Sequence, residues 1–349
     1  MCPPIQSQYP WTVAPLIANA AMGGFSNAPL ASAVSLAGGI GFIGAVYDLD
    51  ALSAQLDSAK ATFEKSNILS KVPDGVLPVG AGFLLFAAKL EGAVEVVARH
   101  KPAVVWLSCP NEDEDFGVWT KAIRAVSPNT RIWIQTATVA SALALAKLCA
   151  PDVLLMQGSD AGGHGPRPGA GIISLVPETR DALDAAGYNH ISVLATGGIS
   201  DGRGVAAALI SGADGVVLGT RFLASEEISL PVQEYQNAIL QAEDGGTSTV
   251  RGTHFDELKG KSIWPAQYDG RAIVGPSHTE FVSGVSIEEI REKHALAVAE
   301  PHKGFGDLRA AIWAGTGVGL VKKVMPASAI LDELRQGARK AVGGVANKL

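Results

Sequence analysis

The sequence predicts a (β/α)8 barrel with a smaller, mainly helical second subdomain, on three observations. Short apolar runs, each followed by a glycine-bearing turn and a segment with helical spacing, recur eight times at intervals of roughly 20 to 40 residues. The runs are nearly continuous rather than alternating, which is typical of parallel strands covered by helices. At 349 residues the chain is longer than a typical barrel of about 250 residues, which leaves room for an appended subdomain.

In chain order, the apolar runs define eight strands. They are predicted at residues 12–20, 40–46, 76–83, 103–108, 131–137, 152–158, 190–197 and 215–219. The segment after the first strand, 27–37, is rich in Ala, Leu and Val at helical spacing and ends at Gly38-Gly39, as helices commonly do. Residues 49–66, 87–100 and 139–149 show the same helical spacing after later strands.

A doubly wound open sheet is the competing architecture, and one motif favours it. Gly39-Ile40-Gly41-Phe42-Ile43-Gly44 matches the G-x-G-x-x-G pattern of dinucleotide-binding folds. That fingerprint follows a strand and opens a helix, whereas here it follows a helix and lies within a strand. We therefore do not interpret it as a dinucleotide site, and we retain the barrel.

The βα rhythm ends near residue 225, which suggests a division into three parts. Residues 1–225 are predicted to form the barrel, and 226–304 a small subdomain near its mouth. Within that subdomain, 225–242 is predicted to continue as an amphipathic helix and 245–301 to be irregular or helical. Residues 305–349 contain a glycine turn and a final helix after Pro326, and we expect them to pack back on the barrel.

Charge and cysteine content restrict the partners and the compartment. The net charge is -6 and no basic patch appears, so nucleic acid and anionic membrane surfaces are not expected as partners. Cys2, Cys109 and Cys149 have no metal-ligand spacing, which favours a reducing intracellular compartment, with the cytoplasm as the default. The C-terminal Asn347-Lys348-Leu349 resembles a weak peroxisomal address, so peroxisomal import stays open.

Two glycine loops after the last predicted strands indicate a phosphate site. Active sites of barrels lie at the C-terminal ends of the strands, and phosphate commonly binds after strands seven and eight. Thr196-Gly197-Gly198-Ile199-Ser200 follows the seventh strand, and Gly219-Thr220-Arg221-Phe222 follows the eighth. Both open helices, whose N-terminal N–H groups attract anions. Thr220 can add a hydroxyl donor, and Arg221 either adds charge or forms an external salt bridge.

The loop after the sixth strand holds the most chemically informative side chain. His164 lies among Gly162, Gly163 and Gly165, and it can act as a general base, as an electrostatic partner or as a structural hydrogen-bonding group. Asp160 either orients His164, binds a ribityl hydroxyl or is an exposed carboxylate. The other histidines have surface or helix-capping roles as their default. No metal-ligand constellation, Ser-His-Asp order or P-loop is present in the sequence.

Three further side chains at strand ends suit a ring-shaped cofactor. Gln135 and Gln157 each end a predicted strand, where an amide can both donate to and accept from a heteroaromatic ring. Met22 closes the first strand and can pack under such a ring, although methionine is more often plain core.

With these residues assembled, the chain resembles the nitronate monooxygenase family, formerly called 2-nitropropane dioxygenases, and most closely its fungal class I members. The shared segments are Ala14-Pro15-Leu16-Ile17, Ala21-Met22-Gly23-Gly24, Gln157-Gly158-Ser159-Asp160-Ala161-Gly162-Gly163-His164-Gly165, Ala195-Thr196-Gly197-Gly198-Ile199, Leu218-Gly219-Thr220-Arg221-Phe222, Tyr268-Asp269-Gly270-Arg271 and Trp313-Ala314-Gly315. They span nearly the whole chain in family order. Asp160 departs from the glutamate common in the family, and Gly80-Ala81-Gly82-Phe83 lacks the asparagine expected in bacterial members.

The resemblance implies an FMN-bound barrel that oxidises alkyl nitronates with O₂ to a carbonyl compound and nitrite. It implies that His164 is the catalytic histidine, which deprotonates neutral nitroalkanes where these are accepted. The cofactor positions that we expect are Met22, Gly23, Gln135, Gln157, Gly163, Gly197, Gly198, Gly219 and Thr220. We also expect Tyr268 and Trp313 to contact the substrate, and no metal to be bound.

Three alternatives stay open at this point. The nearest is an NAD(P)H-dependent flavin reductase of enoyl thioesters, which shares the fold and the glycine-histidine loop. A flavin-binding dehydratase or isomerase of a biosynthetic pathway is the second, and a catalytically silent flavin store is the third. Fold alone does not choose among them. The oligomeric state is open too, with a homo-oligomer among the options.

Overall fold

The computed structural model of the chain describes residues 5–45, 47–73 and 75–346. Its strands are β1 (Leu16–Asn19), β2 (Phe42–Ala45), β3 (Leu77–Leu84), β4 (Pro102–Ser108), β5 (Arg131–Thr136), β6 (Val153–Gln157), β7 (Gly163–Pro166), β8 (Ser192–Thr196), β9 (Gly215–Leu218), β10 (Thr249–Gly252) and β11 (Tyr268–Ile273). Its helices are α1 (Ala28–Leu36), α2 (Leu49–Phe63), α3 (Leu90–His100), α4 (Glu114–Val126), α5 (Val139–Cys149), α6 (Ile172–Ala185), α7 (Gly202–Ile210), α8 (Gln233–Gln241), α9 (Gly245–Ser248), α10 (Pro276–Val282), α11 (Ile287–Val298), α12 (Pro301–Gly306) and α13 (Ala327–Ala346). Cys2 and the C-terminal Asn347-Lys348-Leu349 lie outside the described residues.

Eight strands form one parallel sheet in the order β1-β9-β8-β6-β5-β4-β3-β2. A parallel bridge between Ala18 and Ile40 joins β1 to the chain just before β2, so the two edges of the sheet meet. Helices alternate with the strands along the chain and cover the sheet, which explains why the strands are nearly continuous apolar runs. The predicted (β/α)8 barrel is confirmed, and each predicted strand overlaps one strand of this sheet.

A column of aromatic rings fills the barrel interior. Phe42 packs against Trp133 with ring centroids 5.1 Å apart and against Trp106 at 5.2 Å. The indole N–H of Trp133 donates to the hydroxyl of Tyr9 at 2.7 Å, which satisfies two buried polar atoms. Of these rings, Trp106 lines the cavity described below. The column therefore forms a solid floor under that cavity.

The glycines of the G-x-G-x-x-G match serve close packing. A Cβ atom on Gly41 would lie 1.8 Å from the carbonyl oxygen of Ala31, and one on Gly44 would lie 2.4 Å from that of Met22. Any side chain at these positions would push α1 and the loop after β1 away from β2. This packing role accounts for a motif whose context does not suit a dinucleotide.

A second, antiparallel sheet of three strands, in the order β10-β11-β7, joins β10 and β11 of the 226–304 segment to β7, which follows β6 along the chain. Its register places His164 opposite Gly270. This sheet was not predicted, because its strands are short and include glycine instead of an alternating pattern. The predicted helix over 225–242 was also wrong in its first half. Only Gln233–Gln241 is helical, because Pro231 disfavours helical backbone at the residue before it.

The last helix, α13, packs against α1 and α7 on the outside of the barrel. Arg335 on this helix is buried, and its guanidinium donates to the carbonyl oxygens of Ala37 at 2.8 Å and Gly38 at 2.7 Å. These carbonyls follow the end of α1, where the helix has no further N–H donors for its last C=O groups. The division of the chain at 225/226 and 304/305 stays a proposal.

We expect Arg335→Met to lower the free energy of unfolding by about 2 to 4 kcal/mol, because two buried carbonyls lose a charged donor. Arg339→Met is the matched control, since Arg339 is exposed on the same helix, and it should change stability by less than about 0.5 kcal/mol. Urea unfolding of both variants measures the difference. Equal stability of the two variants would contradict this role for Arg335.

Candidate active site

A cavity of about 310 Å³ opens at the C-terminal ends of the barrel strands. It is lined by eleven residues predicted from the sequence: Met22, Gly23, Gln135, Gln157, Gly163, His164, Gly197, Gly198, Gly219, Thr220 and Trp313. The remaining wall is mostly apolar or glycine. No Lys, Arg, Asp or Glu is among the lining residues in the described part of the chain. The fold thus brings the glycine turns after β8 and β9, the glycine turn at residues 315–319 and His164 together around one cavity.

Tyr268 does not belong to this space. Its side chain is buried, and its hydroxyl donates to the carbonyl oxygen of Pro110 at 3.1 Å, so it ties the small subdomain to the loop after β4. Tyr268 is not among the residues that line the cavity, and its contact with substrate stays a prediction. Gly270 in the same motif makes room for the predicted Trp313, because a Cβ there would lie 2.4 Å from the indole ring. This motif builds the wall behind the cavity.

The turn after β8 exposes backbone rather than side chains to the cavity. Gly197 and Gly198 have φ values of 107° and 73°, a region that glycine adopts without strain. A Cβ on Gly198 would also meet Asp160 at 2.9 Å. The chain then enters α7, where Asp201 caps the first turn by accepting from the N–H groups of Arg203 and Gly204. Backbone N–H groups and a helix N-terminus at this end suit an anion.

The turn after β9 meets a third glycine loop from the C-terminal part of the chain. The Oγ of Thr220 accepts from the N–H of Gly315 at 3.0 Å, which leaves the hydroxyl proton of Thr220 free to donate. Gly162 and Gly315 pack backbone to backbone, since a Cβ on Gly162 would lie 2.4 Å from the nitrogen of Gly315. This loop, Gly315-Thr316-Gly317-Val318-Gly319, is the glycine turn noted in residues 305–349 of the sequence, where it was not assigned to the site.

Arg221 and Asp160, both considered for the site, lie outside the cavity wall. The Arg221 side chain is buried and donates to the carbonyl oxygen of Lys323 at 3.3 Å and to the sulfur of Met325 at 3.1 Å. Burial lowers the pKa of this guanidinium, and Glu333 opposes that shift. The backbone oxygen of Asp160 accepts from Thr316, and its carboxylate makes no bond to His164. Both residues support the loops.

A chain of amide hydrogen bonds crosses the floor of the cavity. The indole N–H of Trp106 donates to Oε1 of Gln135 at 3.1 Å, and Nε2 of Gln135 donates to Oε1 of Gln157 at 2.8 Å. Nε2 of Gln157 then donates to the carbonyl oxygen of His164 at 3.0 Å. Because an indole can only donate, it sets the direction of every amide in the chain. The N–H groups left over can therefore act only as donors toward a ligand.

His164 lies on β7 between two indole rings. Its ring stacks on Trp264 with centroids 3.7 Å apart and planes 5° apart, and it lies 4.6 Å from the ring of Trp313. Its Nε2 is 2.6 Å from Oδ1 of Asp256, whose side chain is 6% exposed. Sequence reasoning missed both Asp256 and Trp264, because neither forms a spaced motif with a histidine about 90 residues earlier.

Arg251 holds the strand that carries His164. Its guanidinium donates to the carbonyl oxygens of Gly165 at 3.1 Å and Pro166 at 2.9 Å, and its Nε donates to Asp269 at 2.7 Å. This ion pair spans β10 and β11, so β7 is fixed by side-chain as well as backbone bonds.

Cys109, which lines the cavity, is a buried thiol, and burial raises its pKa to about 12. It stays protonated and is not a nucleophile.

The expectation of surface or capping roles was wrong for three other histidines, since His100, His254 and His294 are buried. Nε2 of His254 lies 3.2 Å from Nδ1 of His278, and its ring stacks on Phe281. Burial, and then the neighbouring His278, lower the pKa of His254 to about 4 from 6.5. His254 is therefore neutral in the folded protein at neutral pH.

This shift predicts acid-sensitive stability. The folded protein binds the His254 proton less tightly than the unfolded chain, so the stabilising contribution is complete above pH 6.5 and is lost as pH falls toward 4. The loss should be at most about 3 kcal/mol. His254→Gln should flatten the pH dependence of the free energy of unfolding in this window, whereas His302→Gln, at an exposed position, should leave it unchanged. Parallel curves for wild type and His254→Gln would rule the assignment out.

Comparison with known proteins gives the family. The chain matches the family model described as "Nitronate monooxygenase" over residues 9–71 and 84–337. It is 40% identical over 340 residues to "Nitronate monooxygenase npaC" of Metarhizium robertsii, which covers 96% of this chain and 94% of that protein. It is 37% identical over 362 residues to a nitronate monooxygenase of Neurospora crassa, covering 97% of this chain and 93% of that protein.

Solved structures show the same fold at lower identity. FabK from Thermotoga maritima superposes with a TM-score of 0.74 at 23% identity, covering 99% of this chain and 98% of that chain. The nitroalkane oxidase from Streptomyces ansochromogenes gives 0.72 at 22%, covering 95% and 98%. Identities this low bear on the fold alone. On the family match and the two fungal relatives, this chain belongs to the nitronate monooxygenase family, as its sequence motifs predicted.

Proposed function

We propose that this chain is an FMN-dependent monooxygenase that oxidises alkyl nitronates with O₂ to a carbonyl compound and nitrite. Members of its family are generally flavin-dependent and act on small molecules. One observation carries the proposal. The glycine turns after β8 and β9, the glycine turn at residues 315–319 and His164 line a single cavity, and among the described residues that line it there is no Lys, Arg, Asp or Glu. A nitronate is itself an anion, so His164 is the side chain suited to meet it.

The cavity fits a flavin mononucleotide on local geometry. A Cβ on Gly163 would meet no atom within 4 Å, and one on Gly219 would lie 3.7 Å from the sulfur of Met22. These glycines leave open room instead of serving protein packing, which is what a closely approaching ligand requires. The free N–H groups of Gln135 and Gln157 suit acceptor atoms at the edge of a flavin ring. The turns after β8 and β9 suit its phosphate.

When bound, FMN supplies the redox chemistry by taking reducing equivalents from the nitronate and passing them to O₂. The chain's own residues bind and orient. His164 positions a nitronate electrostatically, and with a neutral nitroalkane it removes the proton from the carbon that bears the nitro group. Trp264 and Trp313 flank the imidazole and exclude water from it.

Direct analysis of the purified protein tests the proposal. The protein should be yellow, and denaturation should release FMN in an amount equal to the protein. In air, addition of a small alkyl nitronate should consume O₂ and produce nitrite and the carbonyl compound. FMN-loaded protein that forms no nitrite would overturn the proposed activity while leaving the cofactor assignment intact.

Compartment and assembly are proposals as well. In the part of the chain that the structure describes, no helix is long and apolar enough to cross a membrane. We propose a cytoplasmic enzyme, with peroxisomal import dependent on residues 347–349. Truncation of these three residues followed by fluorescence microscopy of a tagged chain tests the import. Light scattering tests for a homo-oligomer.

A further inference from the structure

We propose that Asp256 is a positioning residue that fixes the tautomer of His164 and so makes Nδ1 the proton-accepting atom. This inference rests on the proposed function, since it concerns the proton step with neutral nitroalkanes. It assigns a role to a residue of the small subdomain in chemistry carried out at the barrel mouth.

The contact between the two side chains is short and shielded from water. Nε2 of His164 lies 2.6 Å from Oδ1 of Asp256, and the two side chains are 14% and 6% exposed. In the described part of the chain, the carboxylate has no other hydrogen bond. A buried carboxylate without a donor is strongly disfavoured, so the imidazole must serve as that donor.

Elementary hydrogen-bond chemistry then selects the tautomer. An ionised carboxylate only accepts, so the hydrogen in this bond belongs to Nε2 of His164. In the neutral ring the other nitrogen, Nδ1, consequently carries the lone pair. No hydrogen bond from another described residue occupies Nδ1. The base atom is therefore Nδ1, and Asp256 plays the orienting part that a carboxylate plays behind other catalytic histidines.

The aromatic walls remove the remaining freedom of the ring. Stacking on Trp264, with planes 5° apart, sets the plane of the imidazole. The bond to Asp256 sets its rotation within that plane. Since β7 is itself held by Arg251, the direction of Nδ1 is determined by contacts on all sides. Few groups need to reorganise when the proton moves.

The proton step balances without a further reactant. The C–H bond next to the nitro group breaks, and its electron pair forms the C=N bond of the nitronate. The proton forms an N–H bond at Nδ1. The resulting imidazolium is stabilised by the Asp256 carboxylate and by the face of Trp264. A preformed nitronate skips this step, so it depends on Asp256 much less.

Replacement of the carboxylate by an amide tests the proposal. Asp256→Asn replaces a carboxylate, which can only accept, by an amide that can either accept or donate, so a hydrogen on Nε2 is no longer required and the opposite tautomer becomes available. We expect kcat/KM for a neutral nitroalkane to fall by about 10²- to 10⁴-fold and that for the preformed nitronate to change only about threefold, with FMN content retained. Glu257→Gln, at the next residue along the chain but paired with Arg291, is the matched control and should change neither value.

The outcomes separate the possibilities. A fall in kcat/KM by the same factor for both substrates would overturn the positioning role, and so would no change for either substrate. Wild-type protein that turns over no nitronate would instead refute the proposed function. If Asp256→Asn fails to fold, nitrogen NMR of histidine-labelled wild type decides, with His164 identified by its absence from His164→Asn. A hydrogen on Nε2 and none on Nδ1 is expected, and the reverse tautomer would overturn the proposal.

Discussion

His164→Asn should lower kcat/KM for neutral nitroalkanes by about 10²- to 10⁴-fold, the usual contribution of a positioned general base. The asparagine amide cannot accept a proton near neutral pH, so no base remains to remove the proton from the carbon next to the nitro group. A preformed nitronate needs no base and loses only an electrostatic partner, so its kcat/KM should fall by about tenfold or less. Nitrite formation from matched pairs, such as nitroethane and ethylnitronate, measures both values on one preparation.

His302→Asn is the control for this experiment, because His302 is 58% exposed and is not among the described residues that line the cavity. It should leave both substrates unaffected. If His164→Asn reduces turnover of the nitroalkane and the nitronate equally, His164 is not a base and acts only in binding. If it affects neither, the cavity has been assigned wrongly.

Gly219→Val should abolish flavin binding and, with it, all nitronate monooxygenase activity, while the protein still folds. Gly219 has an ordinary negative φ of -99°, so a side chain brings no backbone strain. Its Cβ would lie 3.7 Å from Ala20 and Met22, an ordinary contact, and the rest of the valine would extend among residues that line the cavity. The valine would occupy the room proposed for the cofactor. FMN released on denaturation, divided by protein concentration, measures the effect.

The control is Gly343→Val, since Gly343 is exposed near the end of α13 and no atom lies within 4 Å of its Cβ position. It should retain FMN, with at most a modest change in melting temperature. A circular dichroism spectrum establishes that Gly219→Val is folded. A folded Gly219→Val that keeps its full FMN content would contradict the placement of the cofactor beside β9.

The barrel was predictable because buried parallel strands leave a strong trace in sequence. A run such as Val153–Gln157 is apolar at nearly every position, since helices cover it and its own interior is filled. The catalytic end followed from the same periodicity, because the C-terminal ends of successive strands meet at one rim. Glycines at 197, 198 and 219 marked where backbone lines the cavity, which is the room proposed for the cofactor.

The contacts that tune the site could not be predicted in this way. Asp256 and Trp264 reach His164 from the small subdomain, and no local pattern links residues so distant in sequence. The sheet that places them pairs β7 with β11, and its short strands lack the alternation that would reveal it. The burial of His254 could not be predicted for a related reason. It lies in a polar segment of the sequence, and nothing in that segment indicates that the ring of Phe281 stacks on it.

An anaerobic absorbance titration decides whether electrons enter this site from a nitronate or from a nicotinamide. The alternative of an NAD(P)H-dependent flavin reductase, which the sequence leaves open, is tested on the same sample. We expect a small alkyl nitronate to change the visible spectrum of the bound flavin within the mixing time, and NADPH to leave it unchanged. Bleaching by NADPH without any response to the nitronate would contradict the proposed function.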